Sequence, residues 1–166
     1  LVEGRAVDLA ADRVVVVNDA YNANPDSMRA ALQALVAIGR DRRTWAVLGE
    51  MRELGPTAAE EHDAIGRLAV RLNISRLVVV GEGARPIHLG ASLEESWADE
   101  SVYVADAQTA LDLLREQLRP GDVVLVKASR AIGLERVAAG LLESERIGAA
   151  DRAADQPGTG PVEVVQ

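Results

Sequence analysis

Four short polar clusters contain most of the side chains that could do chemistry in this 166-residue sequence. The first holds Asp19, Tyr21, Asn22, Asn24 and Asp26, and it follows four consecutive valines. The other three are GEMRELG at 49–55, GEGAR at 81–85 and KASR at 127–130. Polar groups at the exit of a buried apolar run are typical of a ligand-binding crevice.

The KASR cluster has the clearest chemical meaning. Lys127 is the sole lysine among 18 basic residues. Together with Ser129 and Arg130 it forms a basic cluster with a hydroxyl, which suits a carboxylate or a phosphate. The alternative is an ion pair with the neighbouring acidic loops. Gly81-Glu82-Gly83 matches only a fragment of a phosphate loop.

The first cluster also has a structural interpretation. Asn24 and Asp26 suit the start of a helix, and for Asn24 that role is favoured over ligand contact. Asp19 could bond to a neighbouring turn, but an acid followed by Tyr21 and Asn22 equally suits a site.

The second cluster and the nearby histidine are open to both interpretations. Glu50 and Glu53 could be solvated carboxylates, with Arg52 paired to either. His62 lies within a predicted helix, where a single histidine is usually structural. The sequence has no complete phosphate-binding loop and no His, Asp or Glu set with metal-ligand spacing, so we assign no metal ligand and no catalytic residue.

Alternating strands and helices must position these clusters. Continuous apolar runs predict strands at Val14–Val17, Trp45–Leu48, Leu77–Val80, Val102–Val104 and Val123–Val126. Helical periodicity predicts helices at Pro25–Ile38, Thr57–Leu72, Ile87–Trp97, Ala107–Leu118 and Leu134–Glu145. Asn24 is the predicted cap of the first helix, and Thr57 with Glu60 forms a predicted capping box for the second. This order predicts a doubly wound, mostly parallel α/β sheet with helices on both faces, Rossmann-like and in a single domain.

Composition limits the partners and the extent of the domain. We expect the domain to cover residues 1–147 and a flexible tail to cover residues 148–166. The formal charge of −8 argues against nucleic acid, and no apolar run is long enough for membrane insertion. We therefore expect a cytoplasmic protein. The chain begins at Leu1 rather than Met, so we expect a longer native product.

Three motifs give the sequence a family resemblance. DAYNANPDSM at 19–28, VLGEMRELG at 47–55 with His62 and Gly66, and VLVKASR at 124–130 resemble the C-terminal domain of a Mur ligase. Within that family the YNANP motif resembles the branch that adds D-alanyl-D-alanine to UDP-MurNAc-tripeptide. The resemblance implies two further domains, one N-terminal and one central, the latter carrying the phosphate loop. It also implies ATP and Mg²⁺, with the metal ligands mostly in those domains.

The same resemblance implies roles for individual residues. Two groups of side chains are expected, one facing ATP and one facing the dipeptide. The expected ATP-binding residues are Arg5, Asp19, Tyr21, Asn22 and Asn24. The expected dipeptide-binding residues are Gly49, Glu50, Met51, Lys127, Ser129 and Arg130, with Glu50 holding the ammonium group. This fragment alone is expected to be inactive.

Two other functions fit the same fold. One is a stand-alone nucleotide- or peptide-binding module. The other is a flavodoxin-like signalling domain, which needs an acid cluster and a phosphoacceptor that Asp19 alone does not supply.

Overall fold

A computed structural model describes residues 13–152 and 163–165. It contains a six-stranded sheet in which all paired strands run parallel. The strands are β1 (Val15–Asp19), β2 (Thr44–Leu48), β3 (Arg76–Val80), β4 (Ser101–Val104), β5 (Val123–Lys127) and β6 (Glu163–Val165). Their order across the sheet is β4-β3-β2-β5-β1-β6. The predicted parallel α/β fold is confirmed.

Helices cover both faces of the sheet, and the strands alternate their side chains between two cores. The helices are α1 (Pro25–Gly39), α2 (Ala58–Arg71), α3 (Arg85–Ser92), α4 (Ala107–Gln117) and α5 (Glu135–Arg152). Val15, Ala46 and Leu125 belong to the core beneath α1, α2 and α3. Val16 and Trp45 belong to the core beneath α4 and α5. This two-sided burial is why the strands read as continuous apolar runs.

The start of α1 has the predicted cap. Asn24 has extended backbone, and its side chain accepts a hydrogen bond from the backbone N–H of Ser27 at 2.8 Å. The Ser27 hydroxyl in turn accepts from the backbone N–H of Asn24 at 3.0 Å. This reciprocal capping box, with Pro25 following at the first helical turn, explains why α1 begins where it does.

The predicted start of α2 was confirmed but its capping box was not, and the third predicted helix was displaced. Thr57 precedes α2 as its N-cap residue, but its side chain makes no capping bond, because it ends a 3₁₀ turn at Gly55–Thr57 and its hydroxyl donates to the carbonyl oxygen of Leu54. The third helix starts at Arg85, with Pro86 in its first turn, and ends at Ser92 rather than Trp97. Beyond that end Glu94 pairs with the Arg67 guanidinium of α2, and the chain continues in turns.

Helices α2 and α3 approach closely through two glycines. A Cβ on Gly66 would collide with the carbonyl oxygen of Ile87, and one on Gly90 with that of Asp63. Gly66, which belongs to the second sequence motif, is therefore needed for the packing of α2 against α3.

Two described stretches within residues 148–166 have regular secondary structure. Helix α5 continues to Arg152, and Glu163–Val165 pairs in parallel with β1. No described helix is long and apolar enough to cross a membrane.

Candidate functional site

The carboxyl ends of four neighbouring strands carry the four predicted clusters. In the sheet, β3, β2, β5 and β1 lie side by side. Because the strands are parallel, their C-terminal loops meet along one edge. The structure therefore brings the clusters at 19–26, 49–55, 81–85 and 127–130 to a common rim, as predicted. We call this edge the carboxyl rim.

Asp19 and Lys127 form an ion pair where β1 and β5 reach the carboxyl rim. They are the last residues of β1 and β5 and lie opposite each other in the strand register. The Lys127 ammonium donates to a carboxylate oxygen of Asp19 at 2.7 Å and to the carbonyl oxygen of Asn22 at 2.8 Å. The lysine is 2% exposed, whereas the Asp19 side chain is 46% exposed. Lys127 is thus a buried link between two loops, and Asp19 keeps an open face.

Ser129 links the same rim to the loop after β2. Its hydroxyl accepts from the backbone N–H of Arg52 at 2.9 Å, and its own N–H donates to the carbonyl oxygen of Glu50 at 2.9 Å. The hydroxyl also lies 3.5 Å from the carbonyl oxygen of Ala23. Ser129 is buried, so it joins three loops from beneath the surface.

Two further predicted residues are also buried beneath the rim. Gly49 donates its N–H to the carbonyl oxygen of Lys127, and a Cβ there would collide with Ala128. Met51 is 1% exposed, and its N–H donates to the Nε2 atom of His62. Gly49 and Met51 therefore contribute to the shape of the loop through their backbone hydrogen bonds, and the Met51 side chain is not exposed to solvent.

The open face of the rim has a different set of side chains. Tyr21 is 56% exposed, and Asn22 and Arg130 are exposed as well. Asn24 is exposed too, but its side-chain oxygen caps α1. The predicted site residues therefore fall into two groups: buried residues that hold the loops together, and side chains that are exposed to solvent.

Glu50 is the predicted acid that lies partly open. Its carboxylate lies against Gly83, where a Cβ would collide with it, and 3.7 Å from the Nε atom of Arg52. Its side chain is 33% exposed, and that of Arg52 is 56% exposed. Gly83 in the GEG fragment makes room for this carboxylate.

The end of the rim at β4 holds a small polar group. The Tyr103 hydroxyl donates to the Glu82 carboxylate at 3.1 Å, and the Arg85 guanidinium lies over the Tyr103 ring. Burial raises the pKa of the Tyr103 phenol, and the bond to Glu82 adds to that shift. Burial lowers the pKa of nearby His88, with a smaller contribution from the charge of Arg85.

One buried acid at the opposite edge of the sheet was missed. Asp122 is 2% exposed and accepts from Arg43, from the Trp45 indole at 2.9 Å and from the backbone N–H of Arg119. In the sequence, an acidic residue directly before the valine run of β5 was the signal that could have identified Asp122. This cluster lies at the amino ends of the strands, away from the carboxyl rim.

The described residues show no grouped metal ligands. Within 13–152 and 163–165, no three His, Asp or Glu side chains are grouped as a metal site. Arg5, an expected ATP-binding residue, lies outside the described residues.

The chain is similar to proteins of one family over most of its length. The family model for "Mur ligase, glutamate ligase domain" matches residues 5–130. The UDP-N-acetylmuramoyl-tripeptide--D-alanyl-D-alanine ligase of Mycobacterium tuberculosis (strain CDC 1551 / Oshkosh) is 58% identical over 154 residues. That match covers 82% of this chain and 30% of the relative.

Solved structures show the same similarity. MurF from Acinetobacter baumannii superposes with a TM-score of 0.63 at 31% identity, covering 75% of this chain and 27% of that chain. MurF ligase from Thermotoga maritima, solved in complex with ADP, gives a TM-score of 0.61 at 28% identity, with coverages of 76% and 27%. The chain thus spans less than a third of the length of these relatives.

Proposed function

The chain belongs to the Mur ligase family, and from that premise we propose that it serves an ATP-dependent ligase joining D-alanyl-D-alanine to UDP-MurNAc-tripeptide. The names of its relatives support this substrate pair. The observation in the fold that carries the proposal is the carboxyl rim, where a partly open acid, Glu50, and an exposed cation, Arg130, follow neighbouring strands. Groups of both signs suit a dipeptide that carries an ammonium and a carboxylate.

The domain contributes positioning to this reaction. ATP transfers its γ-phosphoryl group to the terminal carboxylate of the tripeptide, which gives an acyl phosphate and ADP. The dipeptide ammonium loses one proton to solvent, and the free amine nitrogen then attacks the acyl carbon. The nitrogen gives up a second proton, and the tetrahedral intermediate expels phosphate to leave the amide. Such an intermediate needs exclusion of water and a correctly held amine, which a closing domain supplies. In this proposal the phosphate loop for the nucleotide belongs to the central domain, and the Mg²⁺ ligands lie mostly in the N-terminal and central domains. The whole protein works in the cytoplasm.

The division between open and buried residues refines the roles at the rim. Glu50 holds the ammonium of the dipeptide, and Arg130 faces its carboxylate. Lys127 and Ser129 support the dipeptide site indirectly by holding its loops in place, because their polar atoms are already bonded to neighbouring loops.

The ATP side of the rim is formed by the first cluster. Asp19, Tyr21 and Asn22 present their open faces to the nucleotide in this proposal, and Asn24 supports them by capping α1. In this proposal Arg5 lies at the hinge that leads into this domain, and its guanidinium reaches the ATP phosphates.

Steady-state kinetics of the full-length protein test these roles. Glu50→Gln and Arg130→Ala should each raise the KM for D-Ala-D-Ala by on the order of tenfold, with a smaller change for ATP, because each removes a charge-assisted bond. Glu116→Gln and Arg119→Ala remove the same charges from exposed positions outside the rim and serve as matched controls. Unchanged dipeptide KM values in both rim variants would reject the proposed dipeptide site.

A further inference from the structure

We propose that His62 is a positioning residue for the ligase reaction: it holds the Gly49–Gly55 loop so that Glu50 meets the dipeptide ammonium. The proposal rests on the proposed function for the role of Glu50. The hold on the loop itself follows from contacts in this chain.

His62 is bonded through both ring nitrogens. It lies in α2 and is 1% exposed. Its Nε2 atom accepts from the backbone N–H of Met51 at 2.9 Å, and its Nδ1 atom lies 2.6 Å from the carbonyl oxygen of Ala58. A carbonyl only accepts, so Nδ1 carries the proton and Nε2 has the free lone pair. The ring is a neutral imidazole fixed in one tautomer.

The loop is held from two opposite sides. On one side its backbone bonds to residues 127–129 through Gly49, Glu50 and Arg52. On the other side Met51 faces α2, and its N–H bonds to His62. Because the Met51 side chain is buried, loss of His62 would leave this N–H without a partner in a dry environment.

The position of Glu50 depends on this attachment. Glu50 is adjacent to Met51 in the chain, and its carboxylate rests against Gly83 in the next loop. A displacement of about 1 Å at a substrate-positioning group can reduce turnover on the order of a hundredfold. His62 thereby reaches the reaction through the backbone, without touching substrate.

Two substitutions separate the hydrogen bond from the volume of the ring. His62→Leu removes both polar contacts, whereas His62→Gln retains an acceptor that can reach the Met51 N–H. Leu114→Ala is the control, since it removes a buried side chain from the core on the opposite face of the sheet.

Amide hydrogen exchange of the 166-residue chain gives the direct structural readout. We expect faster exchange of the Met51 amide in His62→Leu, substantial recovery in His62→Gln, and no selective change in Leu114→Ala. Met51 protection that is unaffected by His62→Leu would overturn the proposal.

Kinetics of the full-length protein give the functional readout. His62→Leu should raise the KM for D-Ala-D-Ala by on the order of tenfold, with little change for ATP and with recovery in His62→Gln. An unchanged dipeptide KM in His62→Leu, alongside a raised one in Glu50→Gln, would overturn the positioning role. If Glu50→Gln itself has no effect, the proposed role of Glu50 fails, and selective Met51 exchange still supports or overturns the hold of His62 on the loop.

Discussion

Asp19 and Lys127 show how unequal the two partners of an ion pair can be. Lys127 is almost fully buried and bonds to a carboxylate and a carbonyl, whereas nearly half of the Asp19 side chain is exposed. Removing the acid leaves a buried ammonium without its counter-ion, while removing the lysine leaves an acid that water can solvate. Removal of Asp19 and removal of Lys127 should therefore lower the free energy of unfolding by different amounts.

Asp19→Ala should destabilise the chain by about 3 kcal/mol, because it strands the buried ammonium. Lys127→Met should cost about 1 kcal/mol, the scale of a lost hydrogen bond. Urea denaturation of both variants measures the difference, and Asp26→Ala, at a 98% exposed acid, is the control. A larger loss for Lys127→Met than for Asp19→Ala would contradict the asymmetry.

The partly buried His88 should make stability sensitive to mild acid. Burial first, and the Arg85 charge second, lower its pKa below the ordinary 6.5. The unfolded chain therefore binds more protons at this residue, so the His88 contribution is present above pH 6.5 and is lost as the pH falls towards the folded-state pKa.

Denaturation of the parent and of His88→Gln at about pH 7.5 and about pH 5.5 tests this direction. The stability advantage of the parent should shrink at the lower pH. An advantage that grows in acid would show that the folded state favours the charged imidazole.

At the scale of elements, the five predicted strands and helices α1, α2 and α4 were confirmed to within two residues at each end, whereas α3 was displaced and β6 was not predicted. Each central strand is apolar on both faces, so its own composition identifies it. Just beyond the end of α3, Glu94 pairs with Arg67 from another helix. The hydroxyl of Thr57 bonds within a 3₁₀ turn instead of capping α2. Strand β6 is three residues long and is defined only by its pairing with β1. The Glu94 contact and the pairing of β6 depend on tertiary structure, which local periodicity does not contain, whereas the Thr57 bond is a local turn that competes with the capping box.

The two candidate caps provide a test at this scale. Asn24→Ala should cost about 1 kcal/mol, because it removes a capping bond, whereas Thr57→Ala should cost no more than about 0.5 kcal/mol. Urea midpoints of the two variants give the comparison. Equal losses would indicate that Thr57 contributes as much to α2 as Asn24 does to α1.

The convergence of the four clusters on the carboxyl rim was predictable from the sequence, but the contacts within the rim were not. Parallel strands bring their C-terminal loops together, so the carboxyl rim followed from the order of the elements. The bonds from Ser129 to Arg52 and from Lys127 to Asp19 join residues that are 77 and 108 positions apart. No local pattern shows which polar group will be buried as an anchor and which will stay open.

At the scale of the whole molecule, the open polar groups and the buried acid cluster lie at opposite ends of the strands. The carboxyl rim carries the open polar groups, while the amino edge contains the buried Asp122 with its Arg43 and Trp45 partners. Asp122 thereby joins the start of β5 to β2 through side chains. Stability and substrate binding should be separable by substitution.

Asp122→Ala should lower stability by about 3–5 kcal/mol, because it removes the partner of a largely buried guanidinium. Where the full-length variant remains folded, its KM values for ATP and dipeptide should match those of the parent. Asp122→Asn is the milder variant if the alanine does not fold. A changed dipeptide KM in folded protein would show that the two edges are coupled.

Phosphate release by the native, full-length gene product is the most direct test of the proposed ligase function. The assay supplies ATP and Mg²⁺ and then omits either UDP-MurNAc-tripeptide or D-Ala-D-Ala in turn. We predict sustained release only when both substrates are present, together with formation of the amide product. Folded full-length protein that releases no phosphate with the complete mixture would contradict the ligase function and favour a binding module.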